Sequence, residues 1–389
     1  MKLAHRMNNL GTETAFEVLV KARALEAQGR DIVHLEVGEP DFATPENIVH
    51  SAIDALHKGA TKYTPSAGIN ELREAIAANV SRTRGVKVQP SQVVVTPGAK
   101  PIMFYVMLAL VDAGDEVLTP NPGFPIYESM IRFTGGIPKF YRLREENDFR
   151  FDPDEFLALV SDKTKLIILN SPHNPTGGIL TQSDLAIIAK VATEHDIPVL
   201  ADEIYWRMLY EGKHHSILEF DGMAERTILL DGFSKTYSMT GWRLGFGVMN
   251  DTLAPHITRL MTNSNSCTAA MIQWAGVEAL NGDQTAVQHM IEAFLGRRDA
   301  IVEGLNEIPG ISCKRPRGAF YVFPNIKQIG WSSKKLAEYI LNEAGVACLS
   351  GTAFGEFGEG YLRFSYANSL DNIHKALDRI HEAVLKIQD

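Results

Sequence analysis

Short, unbroken apolar runs, each ending in small or polar residues and each followed by a helical pattern, constrain this chain most. Residues 92–96 (QVVVT) pass through Gly98 into an apolar stretch that opens at Pro101. Residues 116–119 (EVLT) lead to Asn121-Pro122-Gly123, and residues 165–169 (KLIIL) lead to Asn170-Ser171-Pro172. Residues 198–201 (PVLA) end at Asp202-Glu203, and residues 227–230 (TILL) end at Asp231-Gly232. A strand wetted on one face alternates in polarity, whereas a continuous apolar strand is covered on both faces. With helical segments between the runs, the pattern predicts an α/β fold with a mostly parallel sheet between two helical layers. Ligands of such sheets sit beyond the carboxyl ends of the strands. Gly98, Asn121, Asn170, Asp202 and Asp231 are therefore expected around one site.

A chain of 389 residues exceeds what one ordinary core holds. After residue 285 the texture changes to a long helix over 286–307, short strands near 311–313 and 319–323, and a helix over 332–343. Strands near Val346 and Tyr361 and a helix over 369–386 complete a smaller α/β unit. The first 45 residues, with an amphipathic helix over 13–28, are too few to fold alone. The expected organisation is an arm (1–45) packed on the small unit, a large domain (46–285) and a small C-terminal domain (286–389). Hydrophobic residues at 45% and charged residues at 22% mark a globular chain. A formal net charge of −9 argues against a nucleic-acid or anionic-membrane partner. The longest apolar run, 102–111, is about half a bilayer span. The first residues contain no signal-like apolar core, and the 3 cysteines fit no metal spacing. A cytoplasmic protein with free thiols and no metal is expected.

Four strand-end features carry chemistry. Lys235, in Ser234-Lys235-Thr236-Tyr237, precedes Arg243 in the same glycine- and hydroxyl-rich loop. A lysine at a site entrance forms a Schiff base when its pKa is lowered, and an arginine can clamp a phosphate. Asp202 ends a strand with Tyr205 three residues on, on the same side of any helical turn; a helix-capping aspartate has the same pattern. In Asn170-Ser171-Pro172-His173-Asn174-Pro175, two X-Pro bonds, either of which could be cis, stiffen a loop that would hold an amide at the sheet edge or simply turn. Gly98-Ala99-Lys100-Pro101 opens a helix whose free N–H groups can bind an anion or nothing. Jointly they supply an amine for an aldehyde, an acid for a pyridine nitrogen, donors for a phenolate, and a cradle for a phosphate. That inventory fits pyridoxal 5′-phosphate, an electron sink.

The motifs Val37-Gly38-Glu39-Pro40-Asp41-Phe42, Lys62-Tyr63-Thr64-Pro65, Asn174-Pro175-Thr176-Gly177, Asp202-Glu203-Ile204-Tyr205, Ser234-Lys235 through Arg243, and Arg363-Phe364-Ser365-Tyr366 follow in order along nearly the whole chain. On them the chain resembles a class I pyridoxal-phosphate aminotransferase of fold type I, in the aspartate and aromatic subgroup. The resemblance implies a large domain with a seven-stranded, mostly parallel sheet. It also implies a ping-pong exchange between an L-amino acid and a 2-oxo acid in a homodimer with shared sites. Lys235 would bond the cofactor aldehyde and then act as base. Asp202 would pair with the pyridine nitrogen, and Tyr205 and Asn174 with the phenolate oxygen. Ala99, Lys100, Ser234 and Arg243 would hold the phosphate, joined by Tyr63 from the neighbouring subunit. Phe124 would stack on the ring. Gly38 and Arg363 would receive the substrate α-carboxylate, with Asn174, Phe124 and Phe16 lining the substrate pocket.

Three departures qualify this. Gly232 stands where some relatives carry a phosphate-binding serine, a loss Ser234 could offset. His173 replaces an asparagine. Residues 262–268, near where another subgroup places a second arginine, contain none, which favours neutral or aromatic side chains over aspartate alone. The alternatives are a β-lyase on the same fold and a non-catalytic cofactor-binding regulator. The wording around Lys235 disfavours the first; the absence of spare residues for a DNA-binding domain disfavours the second.

Overall fold

In the computed structural model, which describes residues 1–388, the apolar runs form the middle of an eight-stranded sheet. Along the chain, β1 is Val33–His34, β2 Val93–Thr96, β3 Glu116–Asn121, β4 Ile137–Arg144 and β5 Arg150–Phe151. Next come β6 Thr164–Asn170, β7 Val199–Asp202, β8 Thr227–Gly232 and β9 Gly245–Val248. The order across the sheet is β2-β9-β8-β7-β6-β3-β4-β5. All pairings from β8 to β4 are parallel; β9 is antiparallel to both neighbours, and β5 to β4. The sheet thus has one strand more than the seven expected. The extra one is the two-residue β5, which returns from a turn onto the edge of β4.

Both faces are covered, as continuous apolar strands require. Val94, Val117, Leu166, Ile168, Leu200 and Ile228 pack with helices Lys100–Leu110, Pro125–Thr134 and Ala254–Asn265. The alternate residues Leu118, Ile167, Leu169, Val199 and Ala201 pack with helix Gln182–Glu194 on the other face.

In the C-terminal part, β10 (Tyr321–Val322), β13 (Leu362–Ser365) and β12 (Leu349–Ser350) make an antiparallel sheet, and β11 (Val346–Ala347) pairs in parallel with β1. Helices Thr285–Glu307 and Leu370–Gln388 back these strands. The expected strand near 311–313 does not form beyond one bridge, Ser312 opposite Asn325. The Asn306 side chain instead satisfies both backbone groups of Cys313, accepting at 2.8 Å and donating at 3.0 Å. One apolar cluster holds Leu72, Val95 and Phe233 together with Phe294, Phe320, Val346 and Ile373, so the core runs without a break from one sheet region to the other.

Candidate active site

The carboxyl ends of β2, β6, β7 and β8 open into a cavity of about 500 Å³. Glycines shape one end of it. A Cβ on Gly245 would overlap the Ala99 nitrogen and the Gly98 carbonyl carbon, so only glycine in β9 lets the start of helix Lys100–Leu110 approach. Gly98 (φ +83°) lies against the Arg243 guanidinium, which a Cβ there would strike. The helix N-terminus, Arg243 and the neighbouring Ser234 therefore bound a pocket suited to a phosphate. Gly232 pairs with Gly245, and a Cβ at Gly232 would lie 3.1 Å from the Gly245 Cα; a serine there would press on β9.

Lys235 stands in the middle of the cavity, its Nζ donating to the Gly38 carbonyl at 2.6 Å. Burial lowers its pKa to about 8, although Glu39 and Glu13 oppose the shift. The segment carrying Gly38 is stitched onto the lysine loop. Thr44 Oγ1 donates to the Ser238 carbonyl at 2.7 Å, Trp242 Nε1 donates to Thr44 at 2.9 Å, and Thr240 bonds Glu39. Asp202 is 6% exposed, and burial raises its pKa to about 6 despite the hydrogen bonds it accepts from the Tyr127 hydroxyl (2.7 Å) and the Ile204 N–H (3.2 Å). Tyr205 and Tyr321 share a hydroxyl–hydroxyl bond of 2.8 Å, and a Cβ on Gly38 would overlap the Tyr321 hydroxyl. Asn174 is anchored by its N–H donating to Asn170 Oδ1 at 2.9 Å, in a loop where both the Ser171-Pro172 and Asn174-Pro175 bonds are cis.

Arg363 on β13 is 3% exposed and forms no ion pair with a carboxylate among the described residues. Its Nη2 donates to the Glu36 carbonyl, its Nη1 reaches Asn174 Oδ1 only at 3.5 Å, and its Nε has no partner. The guanidinium lies 4.6 Å from the Tyr321 ring centre and 5.1 Å from that of Phe354. A buried cation with open donors, at the edge of a cavity, has the chemistry to accept a carboxylate.

Gly38, Ala99, Lys100, Phe124, Asn174 and Phe16 also line the cavity, so one space gathers every residue expected to hold cofactor or substrate but Tyr63; of the five strand-end residues expected around one site, Asn170 and Asp202 line it, whereas Gly98, Asn121 and Asp231 do not. Tyr63 is 90% exposed and lies outside its own chain's cavity. Residues 262–268 lie outside it too and touch the Tyr63 loop, where Cys267 Sγ accepts the Thr64 N–H at 3.5 Å. His173 is turned away from the cavity. It is buried, bonds Thr176 Oγ1 at 2.8 Å, and has its pKa pushed by burial to about 3, so it is a neutral packing residue. Sequence reasoning missed Tyr127 and Tyr321. The first had a signal, the one-turn spacing from Phe124, whose ring it meets edge-on at 5.6 Å. The second had none, since Gly38 and Tyr321 meet only through the fold. The Lys100 side chain was also overlooked: it pairs with Glu13 at the cavity wall beside Phe124.

The family model described as aminotransferase class I and II matches residues 30–380. An aspartate aminotransferase of Bacillus subtilis (strain 168) is 38% identical over 393 residues, covering 99% of this chain and 100% of its own. The aromatic-amino-acid aminotransferase 2 of Thermococcus litoralis is 40% identical over 99% of each chain. The structure of an aspartate aminotransferase from Thermus thermophilus with maleate superposes with a TM-score of 0.95 at 37% identity, covering 98% of this chain and 100% of that one. A lysine with a loosened proton, a buried acid and an unpaired buried arginine in one cavity agree with these likenesses, and the chain belongs to the class I and II aminotransferases, pyridoxal-phosphate-dependent enzymes.

Proposed function

We propose that this transaminase takes L-amino acids with neutral or aromatic side chains, exchanging their amino group with 2-oxo acids through the glutamate/2-oxoglutarate pair. The observation that carries the reading is Arg363, a buried guanidinium without a carboxylate, in the cavity that also holds Lys235 and Asp202. Its remaining N–H donors suit an α-carboxylate and would set the substrate α-carbon near Lys235 Nζ. When bound, pyridoxal phosphate supplies the electron sink that makes the substrate α-proton acidic. Lys235 then moves that proton, a task suited to an amine with a lowered pKa. Asp202, held by Tyr127, would keep the proton on the pyridine nitrogen, and Tyr205 and Asn174 would donate to the ring oxygen. Ala99, Lys100 (through N–H groups), Ser234 and Arg243 would hold the phosphate. Phe16, Phe124 and Phe354 line the cavity, and the ammonium nearest to Phe124, Lys100, is already paired with Glu13. Apolar side chains are thereby favoured over a second carboxylate. We place the enzyme in the cytoplasm as a homodimer, with residues 1–45 an arm, 46–285 the large domain and 286–389 the small one.

Borohydride reduction of the cofactor-loaded protein, followed by peptide mapping, should place the pyridoxyl label on Lys235. A label on Lys100 or another lysine would overturn the assignment. Rates measured across a series of amino donors should rank aromatic and neutral ones first; a large excess of the aspartate rate over every neutral donor would refute the specificity.

A further inference from the structure

Beneath the cofactor pocket lies a buried charge cluster that none of the roles above uses. Arg84, the last residue of helix Asn70–Arg84, has a side chain wholly shielded from solvent. Its Nε donates to Glu203 Oε2 at 3.0 Å and its Nη2 to Asp231 Oδ2 at 3.1 Å, while its Nη1 donates to Thr83 Oγ1 at 2.8 Å. The guanidinium lies 4.0 Å from the centre of the Trp206 ring. Glu203 also bonds His214 Nε2 at 3.0 Å and Ser216 Oγ at 2.6 Å; Asp231 Oδ1 accepts the Gly232 N–H at 2.7 Å.

The positions of the two carboxylates give the cluster its meaning. In the β7–β8 register Asp202 lies opposite Leu230, and both line the cavity. Glu203 and Asp231 are the next residues of each segment, and the Glu203 N–H donates to the Leu230 carbonyl at 2.9 Å. Side chains alternate faces along a strand, so these two turn away from the cavity and meet at Arg84. One cation therefore joins the two strand ends. The first carries Asp202; the second continues through Gly232 to Lys235.

We propose that Arg84, Glu203 and Asp231 form a tie that positions Asp202 and Lys235 for the cofactor by locking the carboxyl ends of β7 and β8 together. Stability alone is a weak reason for such a cluster, because an apolar replacement of a buried ion triad is often neutral or stabilising. The groups facing Asp202 are Tyr127, the Ile204 N–H, Glu203, Tyr205, Lys235 and Asp231. Arg84 offsets the two acids among them, chiefly Glu203, because burial raises the Asp231 pKa to about 7 even beside the guanidinium. Burial, which alone would raise the Glu203 pKa, is outweighed by His214 and Arg84, which bring it to about 2. Without Arg84 the uncompensated negative charge strengthens Asp202's hold on its proton, so the carboxylate the pyridine nitrogen needs is lost at a higher pH.

The test is pyridoxal-phosphate affinity of the apoprotein as a function of pH. The ligand's own ionisations are common to all variants, so differences report the protein. Arg84→Met should shift the acid-side loss of affinity upward by about one unit or more, binding about tenfold more weakly near pH 6.5. Arg84→Lys keeps the charge without the two-armed fork and should leave that midpoint in place while weakening affinity at every pH. The triple variant Arg84→Met/Glu203→Gln/Asp231→Asn carries no uncompensated charge and keeps a folded reference if Arg84→Met unfolds. It should retain the wild-type midpoint but bind several-fold more weakly. Wild-type affinity and midpoint in both Arg84→Met and the triple variant would overturn the tie, and so would a triple variant that cannot fold, which would make the cluster a folding requirement. The inference rests on Asp202 serving the pyridine nitrogen. If Asp202→Asn binds the cofactor with the wild-type pH profile, that assignment fails rather than the tie.

Discussion

A lysine can attack an aldehyde or take a proton from carbon only as the free amine, so the value of Lys235 depends on how much of it is unprotonated. With its pKa lowered from 10.5 to about 8 by burial, about a quarter is neutral at pH 7.5, against about a thousandth for an ordinary lysine. The sign is that of a base whose charged form is disfavoured by low dielectric, so reactivity grows as pH rises and levels off above about 8. Stopped-flow capture of pyridoxal phosphate by the apoprotein should show that midpoint. A midpoint near 10 would mean that the cavity does not loosen the proton. Asp202 is shifted upward, also by burial, and the two groups lean toward each other's working range. Such opposed displacements in one cavity are what acid–base machinery requires.

At the scale of elements, the N-terminal helix Thr14–Glu26 is only lightly anchored to the fold. Only Ala22 is buried, while Phe16 and Val20 are 56% and 68% exposed, yet Phe16 lines the cavity. Arg363 and Phe16 should therefore fail differently. If Arg363 grips the α-carboxylate as proposed, Arg363→Lys removes a two-donor contact common to all substrates, and losing a charge-assisted bond of about 1.5–3 kcal/mol should lower kcat/KM about 10- to 150-fold for every amino acid. Phe16→Ala should leave thermal stability nearly unchanged and reorder the donors, aromatic ones losing most. An unaltered ranking would remove Phe16 from the pocket. The same contrast explains what was legible in the sequence. β2, β3, β6, β7 and β8 could be read because burial on both faces leaves a continuous apolar run, and their polar ends marked the site. β9 (Gly-Phe-Gly-Val) gave no such signal, since Gly245 exists for the close approach of Gly98 and Ala99 and a Cβ on Gly247 would crowd Ile102 and Met249. β4, with only Tyr141 and Leu143 buried, read as mixed polarity. The 311–313 strand was expected from composition and lost to a long-range partner, Asn306, that no local pattern announces. Tyr321, Arg84 and the Lys100–Glu13 pair belong to the same class: their roles depend on neighbours far away in sequence.

At the scale of the whole molecule, the loop carrying Tyr63 is held by its own chain while the Tyr63 ring points out to solvent. Gln273, fully buried, accepts the Ile69 N–H at 2.8 Å and donates to Thr64 Oγ1 at 2.9 Å and to the Thr268 carbonyl at 2.7 Å. A satisfied buried amide thus fixes a loop whose aromatic ring is 90% exposed and far from the chemistry of its own subunit. Fixing an exposed ring costs conformational entropy that contacts within the chain do not recover, so a second copy is the natural place for compensation. If Tyr63 serves the neighbour's phosphate, then a Lys235→Ala chain and a Tyr63→Phe chain, each inactive at limiting cofactor, complement each other. In their hybrid, one site has the Lys235 of the second chain and the Tyr63 of the first, both intact; the other site has neither. Random reassortment of equal amounts makes half the dimers hybrid, each with one working site of two, so activity should recover to about one quarter of wild type. If Tyr63 acted within its own chain, both sites of the hybrid would stay defective and mixing would restore nothing. Sedimentation of the active species distinguishes a third outcome: a fully active monomer would make the exposed ring irrelevant to catalysis and end the shared-site proposal.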